Sequence, residues 1–249
     1  MGGLARRAAF IADKRKTDDP GTVRLFIAGP YELQDIDENK SPAAKAPQVV
    51  GQAYASLEYD AMMITPEDAA VLGQDMPEAL KAWAAPVGKV ASRSFERKNL
   101  RIGLVYFPVL PSGKEQPSAD QMEEVVKQAR ALRADGNVVI GVSPWGFAGE
   151  KVFLEKYTGP DQPVDILLGG GHGSGERGKL AADGSTAWLR SFSKGKAVNF
   201  VRLENISERH KDSYRKPESE VRFELAVLDE SAPIDPLMDG RLAPARAGN

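Results

Sequence analysis

Apolar runs of strand length alternate along this chain with stretches whose apolar residues recur every three to four positions, the pattern of strands interleaved with amphipathic helices. Residues 2–16 read as a helix with Leu4, Ala8 and Ile11 on its apolar stripe and Arg7, Lys14 and Arg15 mostly off it. Val23–Ala28 (VRLFIA) is a compact strand that breaks at Gly29-Pro30. Tyr31–Pro47, rich in acid, proline and alanine, reads as loop, and Gln48–Leu57 as a helix. Asp60–Ile64 (DAMMI) is a short apolar strand stopped by Thr65-Pro66, and Leu100–Phe107 (LRIGLVYF) a longer one ending at Pro108.

Ser118, with Gln121 three residues later, is a capping pattern. The helix it opens carries Met122, Val125, Val126, Ala129 and Leu132 on one stripe and stops at Asp135-Gly136. Asn137–Val142 (NVVIGV) is the next strand, Glu150–Tyr157 a short helix, and Val164–Leu168 a further strand. Ala187–Phe192 and Ala197–Leu203 are expected to pair across a turn at Lys194-Gly195, and Val221–Leu228 (VRFELAVL) adds another strand. From Asp235 the chain turns polar with scattered proline and glycine, as tails and linkers do. Strands apolar throughout imply a sheet covered on both faces, and their alternation with helices implies parallel crossover units. The expectation is one α/β domain over residues 1–234 and a tail or linker over 235–249.

Composition adds mostly exclusions. The 249 residues are 42% apolar and 27% charged with a net charge of -2, ordinary for a globular protein and without the basic face that nucleic-acid binding needs. The absence of cysteine removes disulfides, thiolate metal sites and a cysteine nucleophile. No apolar run reaches the roughly 20 residues that span a bilayer, and the N-terminus lacks the apolar core of a signal peptide. With only two histidines, His172 and His210, and no nucleophile-elbow pattern, the sequence gives a Ser-His-Asp triad no support.

Val164–Leu180 (VDILLGGGHGSGERGKL) concentrates the candidate chemistry. Gly173–Lys179 has the glycine and lysine spacing of a phosphate-binding loop after a strand. A nucleotide site also needs a hydroxyl after the lysine for Mg²⁺ and a helix whose N-terminus faces the phosphates. Leu180 follows instead, and Asp183-Gly184 breaks the chain. It is not a P-loop.

Taken in order, several stretches resemble the calcineurin-like metallophosphoesterases, specifically the catalytic domain of the bacterial 5′-nucleotidase group. They are Gly2–Lys16, Val23–Pro30 (VRLFIAGP), Leu57–Asp68 (LEYDAMMITPED), Asn137–Gly146 (NVVIGVSPWG), Val164–Gly173 (VDILLGGGHG) and the DESAPIDP segment, spanning nearly the whole chain. The resemblance implies a four-layer α/β/β/α sandwich. It also implies two divalent metals on strand-end loops, which activate a bridging water and clamp a phosphate. It implies a periplasmic or extracellular setting and a longer parent protein; the family's first strand, with its Asp-x-His, would lie before Met1. Another segment, a partner chain or an upstream domain is expected to fill that strand's place.

The ligand positions that the resemblance implies are not occupied by ligands. Pro30 stands for the bridging aspartate, Pro66 for the asparagine, Glu67 for the catalytic histidine and Pro144 for the next histidine. The two histidines of the last loop fall on Gly171 and Gly173, with His172 between them. Proline and glycine offer no side-chain donor, so a degenerate domain that binds or scaffolds is the expected function, with no metal ligand assigned and no cofactor. The alternative keeps a metal-dependent phosphoesterase on an atypical divalent set of His172, Glu67 and Asp68.

Each candidate also has a plain structural reading. Glu67 and Asp68 suit the first turn of a helix beginning near Pro66, where acids favour the dipole. Trp145 and Phe147 suit either stacking against a ring-bearing ligand, together with Gly171 and Gly173, or closing the loop over the sheet, the second being favoured. His210 and the run Arg93, Arg97, Lys98 and Arg101 read as solvated, the latter on a hairpin face. The expected partners are another domain of the same parent or a second copy, with neither nucleic acid nor a membrane span.

Overall fold

The computed structural model describes residues 3–17, 21–33, 47–85, 87–135, 138–181, 184–192, 195–204 and 220–246. Lys194, His210 and most of the segment read as loop between Tyr31 and Pro47 lie outside them. The chain forms two compact units, one of Met1–Ala84, Phe192–Val198 and Ala226–Asn249, the other of Ala85–Ser191 and Asn199–Leu225.

In the first unit, helix α1 (Leu4–Lys16) leads to the two-residue strand β1 (Ile27–Ala28). Helix α2 (Pro47–Ala55) precedes β2 (Ala61–Met62), which pairs parallel with β1 in the register Ile27 to Ala61. No further strand joins this small sheet among the described residues. Helices α3 (Pro66–Leu72) and α4 (Glu78–Lys81) follow. Pro66 opens α3 because its fixed φ suits a helix start and its missing N–H costs nothing there.

The second unit is built on six strands. β3 (Ala91–Arg97) and β4 (Leu100–Tyr106) form an antiparallel hairpin whose turn residues, Lys98 and Asn99, have φ of 47° and 67°. Positive φ at both positions is the type I′ turn that matches strand twist. Arg93, Arg97, Lys98 and Arg101 are all exposed on this hairpin, as the sequence suggested. Helix α5 (Ala119–Ala134) crosses to β5 (Val138–Ser143), and α6 (Gly146–Lys156) crosses to β6 (Ile166–Gly169). β7 (Glu176–Leu180) runs antiparallel to β8 (Ala187–Arg190), giving the order β3-β4-β5-β6-β8-β7.

Local chemistry explains α5 well. Ser118 and Gln121 make both bonds of the capping box. Met122, Val125, Val126, Ala129 and Leu132 are buried against Val105, Phe107, Val139 and Leu167. Each such apolar side chain contributes about 1.5–3 kcal/mol on leaving water.

Three expectations change. β8 pairs with β6 and β7, while β9 (Ala197–Leu203) pairs with β10 (Val221–Val227). Ala187 and Leu189 are apolar neighbours for the sheet interior, so β8 is drawn into the large sheet as a parallel strand. The segment from Asp235, read as tail or linker, instead forms α7 (Pro236–Arg246), packed on α1 and α2 with Met238 and Leu242 in the first unit's core. Asp235 caps it by accepting from the Met238 N–H at 2.7 Å. Finally, Arg7, expected off the apolar stripe of α1, is buried and pairs with Glu32 while donating to the Tyr59 hydroxyl.

Leu242→Ala will therefore destabilise the protein by about 2–3 kcal/mol in urea unfolding, as removal of a core leucine does. A tail residue would give no change.

Candidate functional site

Both units bring the positions singled out in the sequence to the C-terminal ends of parallel strands, where open α/β sheets carry their ligands.

In the first unit, Gly29 and Pro30 follow β1, and Thr65 and Pro66 close the stretch after β2. Thr65 is the N-cap of α3, and its hydroxyl accepts from the Asp68 N–H while the Asp68 carboxylate accepts from the Thr65 N–H. Asp68 does more than cap. It is fully buried and accepts from the Leu33 N–H at 3.0 Å, the Tyr31 N–H at 2.9 Å and the Thr65 hydroxyl at 2.9 Å. Both oxygens are thus occupied, stitching the turn after Pro30 to the start of α3. Tyr31, at φ 61°, holds the left-handed conformation that this stitch requires of a bulky residue. Burial raises the Asp68 carboxyl to about 6, against the pull of the Leu33, Thr65 and Tyr31 donors. Burial, then Glu67 and Asp68, push the Tyr31 phenol upward. Glu67 itself is exposed.

In the second unit the loops after β5 and β6 are joined backbone to backbone. The Gly146 N–H donates to the Gly170 carbonyl at 3.0 Å, the Phe147 N–H to the His172 carbonyl at 2.8 Å and the Gly170 N–H to the Ser143 carbonyl at 2.9 Å. The first two amides of α6, which would otherwise face an anion, are therefore taken. Close approach dictates glycine here. A Cβ on Gly146 (φ 73°) would lie 2.9 Å from the His172 carbonyl oxygen, and one on Gly173 (φ 105°) 2.6 Å from the Phe147 Cβ. The His172 side chain is exposed. Gly171 and Gly173 carry the positive φ that lets the loop fold back.

Trp145 points inward. It is 3% exposed, its indole N–H donates to the Pro108 carbonyl at 2.7 Å, and its ring lies 4.6 Å from Phe107 and 5.7 Å from Phe153. Phe147 packs 5.1 Å from Trp188, with the Lys179 ammonium 4.7 Å from the Trp188 ring. Lys179, the lysine of the rejected nucleotide motif, lies in β7 and bridges to Glu176 at 2.8 Å.

Beneath the loop lies a buried pair that sequence reading did not single out. Arg190 and Glu150 are 1% and 0% exposed at their side chains and approach to 2.5 Å. The contact is an ion pair, not aligned along a hydrogen-bond direction. The other Glu150 oxygen accepts from the Trp188 indole at 2.7 Å. Burial raises the Glu150 carboxyl to about 7, opposed by Arg190, Trp188 and the Gly170 N–H. One signal was present: an arginine inside an apolar strand, AWLR, demands a buried acid.

The residues do not suit the dinuclear metal centre that the resemblance implied. The three prolines have no donor, both Asp68 oxygens already accept from backbone amides or the Thr65 hydroxyl, and no group of three His, Asp or Glu is placed to hold a metal ion among the described residues. 

Two consequences are measurable. Ionising Asp68 in its buried place costs stability, so its contribution is complete below about pH 4 and lost as the pH rises through about 6. Asp68→Asn will flatten that part of the melting-temperature profile. Gly169→Ala puts a Cβ 2.0 Å from the Glu150 carboxylate oxygen and will cost about 3 kcal/mol in urea unfolding.

No protein-family profile and no curated protein sequence matches the chain. Solved structures do. A Staphylococcus aureus protein assigned as a 5′-nucleotidase, solved in complex with α-ketoglutarate, aligns over 99% of this chain at 13% identity with a TM-score of 0.63. The 5′-nucleotidase of Candida albicans aligns over 99% at 14% identity with a TM-score of 0.59. The chain covers 53% and 52% of those two proteins, about half their length. The chain has the fold of these 5′-nucleotidases over about half their length.

Proposed function

We propose that this chain is a 5′-nucleotidase-like domain that keeps the fold without dinuclear hydrolysis and serves as a binding or scaffold module of a longer exported protein. One observation carries the reading: Asp68, the buried carboxylate two residues after Pro66, has both oxygens engaged by the turn after Pro30 and by Thr65. A carboxylate so engaged offers a cation little, and the prolines at the neighbouring positions offer it nothing. The same reading accounts for the loops after β5 and β6, whose glycines serve close packing.

The test is hydrolysis of p-nitrophenyl phosphate and of AMP with millimolar Mn²⁺ or Zn²⁺. The expected result is no turnover above buffer. Metal-dependent turnover that vanishes in His172→Ala would replace this reading with a phosphoesterase built on His172, Glu67 and Asp68.

A further inference from the structure

The loop after β6 has a cation of its own. The Arg190 Nη2 donates to the carbonyls of Gly170, Gly171 and His172 at 3.3, 3.1 and 3.0 Å, and its Nε donates to the Ser174 carbonyl at 2.9 Å. Its Nη1 faces the Glu150 carboxylate. Four carbonyls and one carboxylate thus converge on a single positive group that is almost wholly out of water. Bare carbonyl oxygens and a carboxylate are also what a hard metal cation gathers around itself. A guanidinium differs in being covalently tethered, permanently charged and shaped as a fork.

We propose that Arg190 is the built-in cation of the Gly170–Ser174 loop, holding it in one conformation without any metal ion. The surroundings fit the role. Gly169 lacks the Cβ that would collide with Glu150, which leaves room for the carboxylate beside the strand. Positive φ at Gly171 (83°) and Gly173 (105°) accompanies the curl that turns successive carbonyls onto one group. The curl in turn presents the Gly170 and His172 carbonyls to the first amides of α6. The second cation nearby, Lys179, sits over the Phe147 and Trp188 rings and is engaged with Glu176. A metal ion entering this loop would have to displace a tethered charge from its own carboxylate.

Site-resolved hydrogen exchange at the Gly146, Phe147 and Gly170 amides tests this in the intact chain. In the wild type, exchange is expected to be the same in EDTA and in millimolar Mg²⁺, Mn²⁺ or Zn²⁺. Arg190→Ala should speed exchange at these amides about tenfold or more, as loss of a local clamp does. Guanidinium at tens of millimolar should slow it again; equal ammonium should not. Slowing by any of the metals in the wild type would overturn the proposal. So would rescue of the variant by ammonium, or failure of guanidinium to rescue it. If Arg190→Ala does not fold, Arg190→Lys replaces it. A point charge cannot span four carbonyls, so the three amides should exchange faster while Val139–Val142 of β5 stay protected. Unchanged loop exchange in that variant would end the proposal. The outcome is separable from the proposed function, since turnover through the exposed His172 side chain would refute that reading and leave this one standing.

Discussion

Removing an acid and a base from water together is costly unless the pair is close and its remaining polar atoms are bonded. Glu150 and Arg190 meet that condition at the strand ends of the second unit, and much of the local structure follows from it. Glu150 must sit on α6 facing β6, so the strand has glycine where any side chain would intrude. Arg190 must reach carbonyls, so the loop above it curls through residues that tolerate positive φ. Trp188 gives its indole N–H to the same carboxylate. The glycine run that looks at first like a ligand cradle is better understood as the shell of an internal charge.

The first unit reaches a comparable result with a different residue. There Asp68 organises a turn through backbone donors, and the prolines on either side fix the chain where side-chain donors are expected by resemblance. In both units polar groups near the strand ends have become part of the architecture. In each unit the loops at the strand ends are organised by a tethered charged side chain, Asp68 in the first and Arg190 in the second.

The regular elements were readable where one rule dominated. The Ser118 box, the stripe of α5 and the apolar runs of β4, β5 and β6 each stood on local pattern. So did the helix after Thr65-Pro66. Pairing was harder, because the partner of Ala187–Arg190 depends on which sheet has an open parallel edge, and no local signal encodes that. β7 was missed since Glu176–Leu180 is polar and bulged, shaped around Gly178 where the Phe223 ring comes within 2.2 Å of a would-be Cβ. α7 was missed because Gly240 and Pro244 argue against a helix on propensity; burial of Met238 and Leu242 outweighs them. Arg7 and Arg190 were hidden for a shared reason: charge normally marks surface, and only the fold brings Glu32 and Glu150 to them.

The docking of α7 against α1 also bears on the order in which the molecule is made. Side chains near the start of the chain, Ala5 and Ile11, share a core with Met238 and Leu242 near its end, and the Asp235 N–H donates to the Ala5 carbonyl at 3.0 Å. Contacts of such wide sequence separation form late. On the ribosome α1 therefore emerges well before α7, with its apolar stripe uncovered while the intervening residues are synthesised. Over that interval it is a natural client for chaperones.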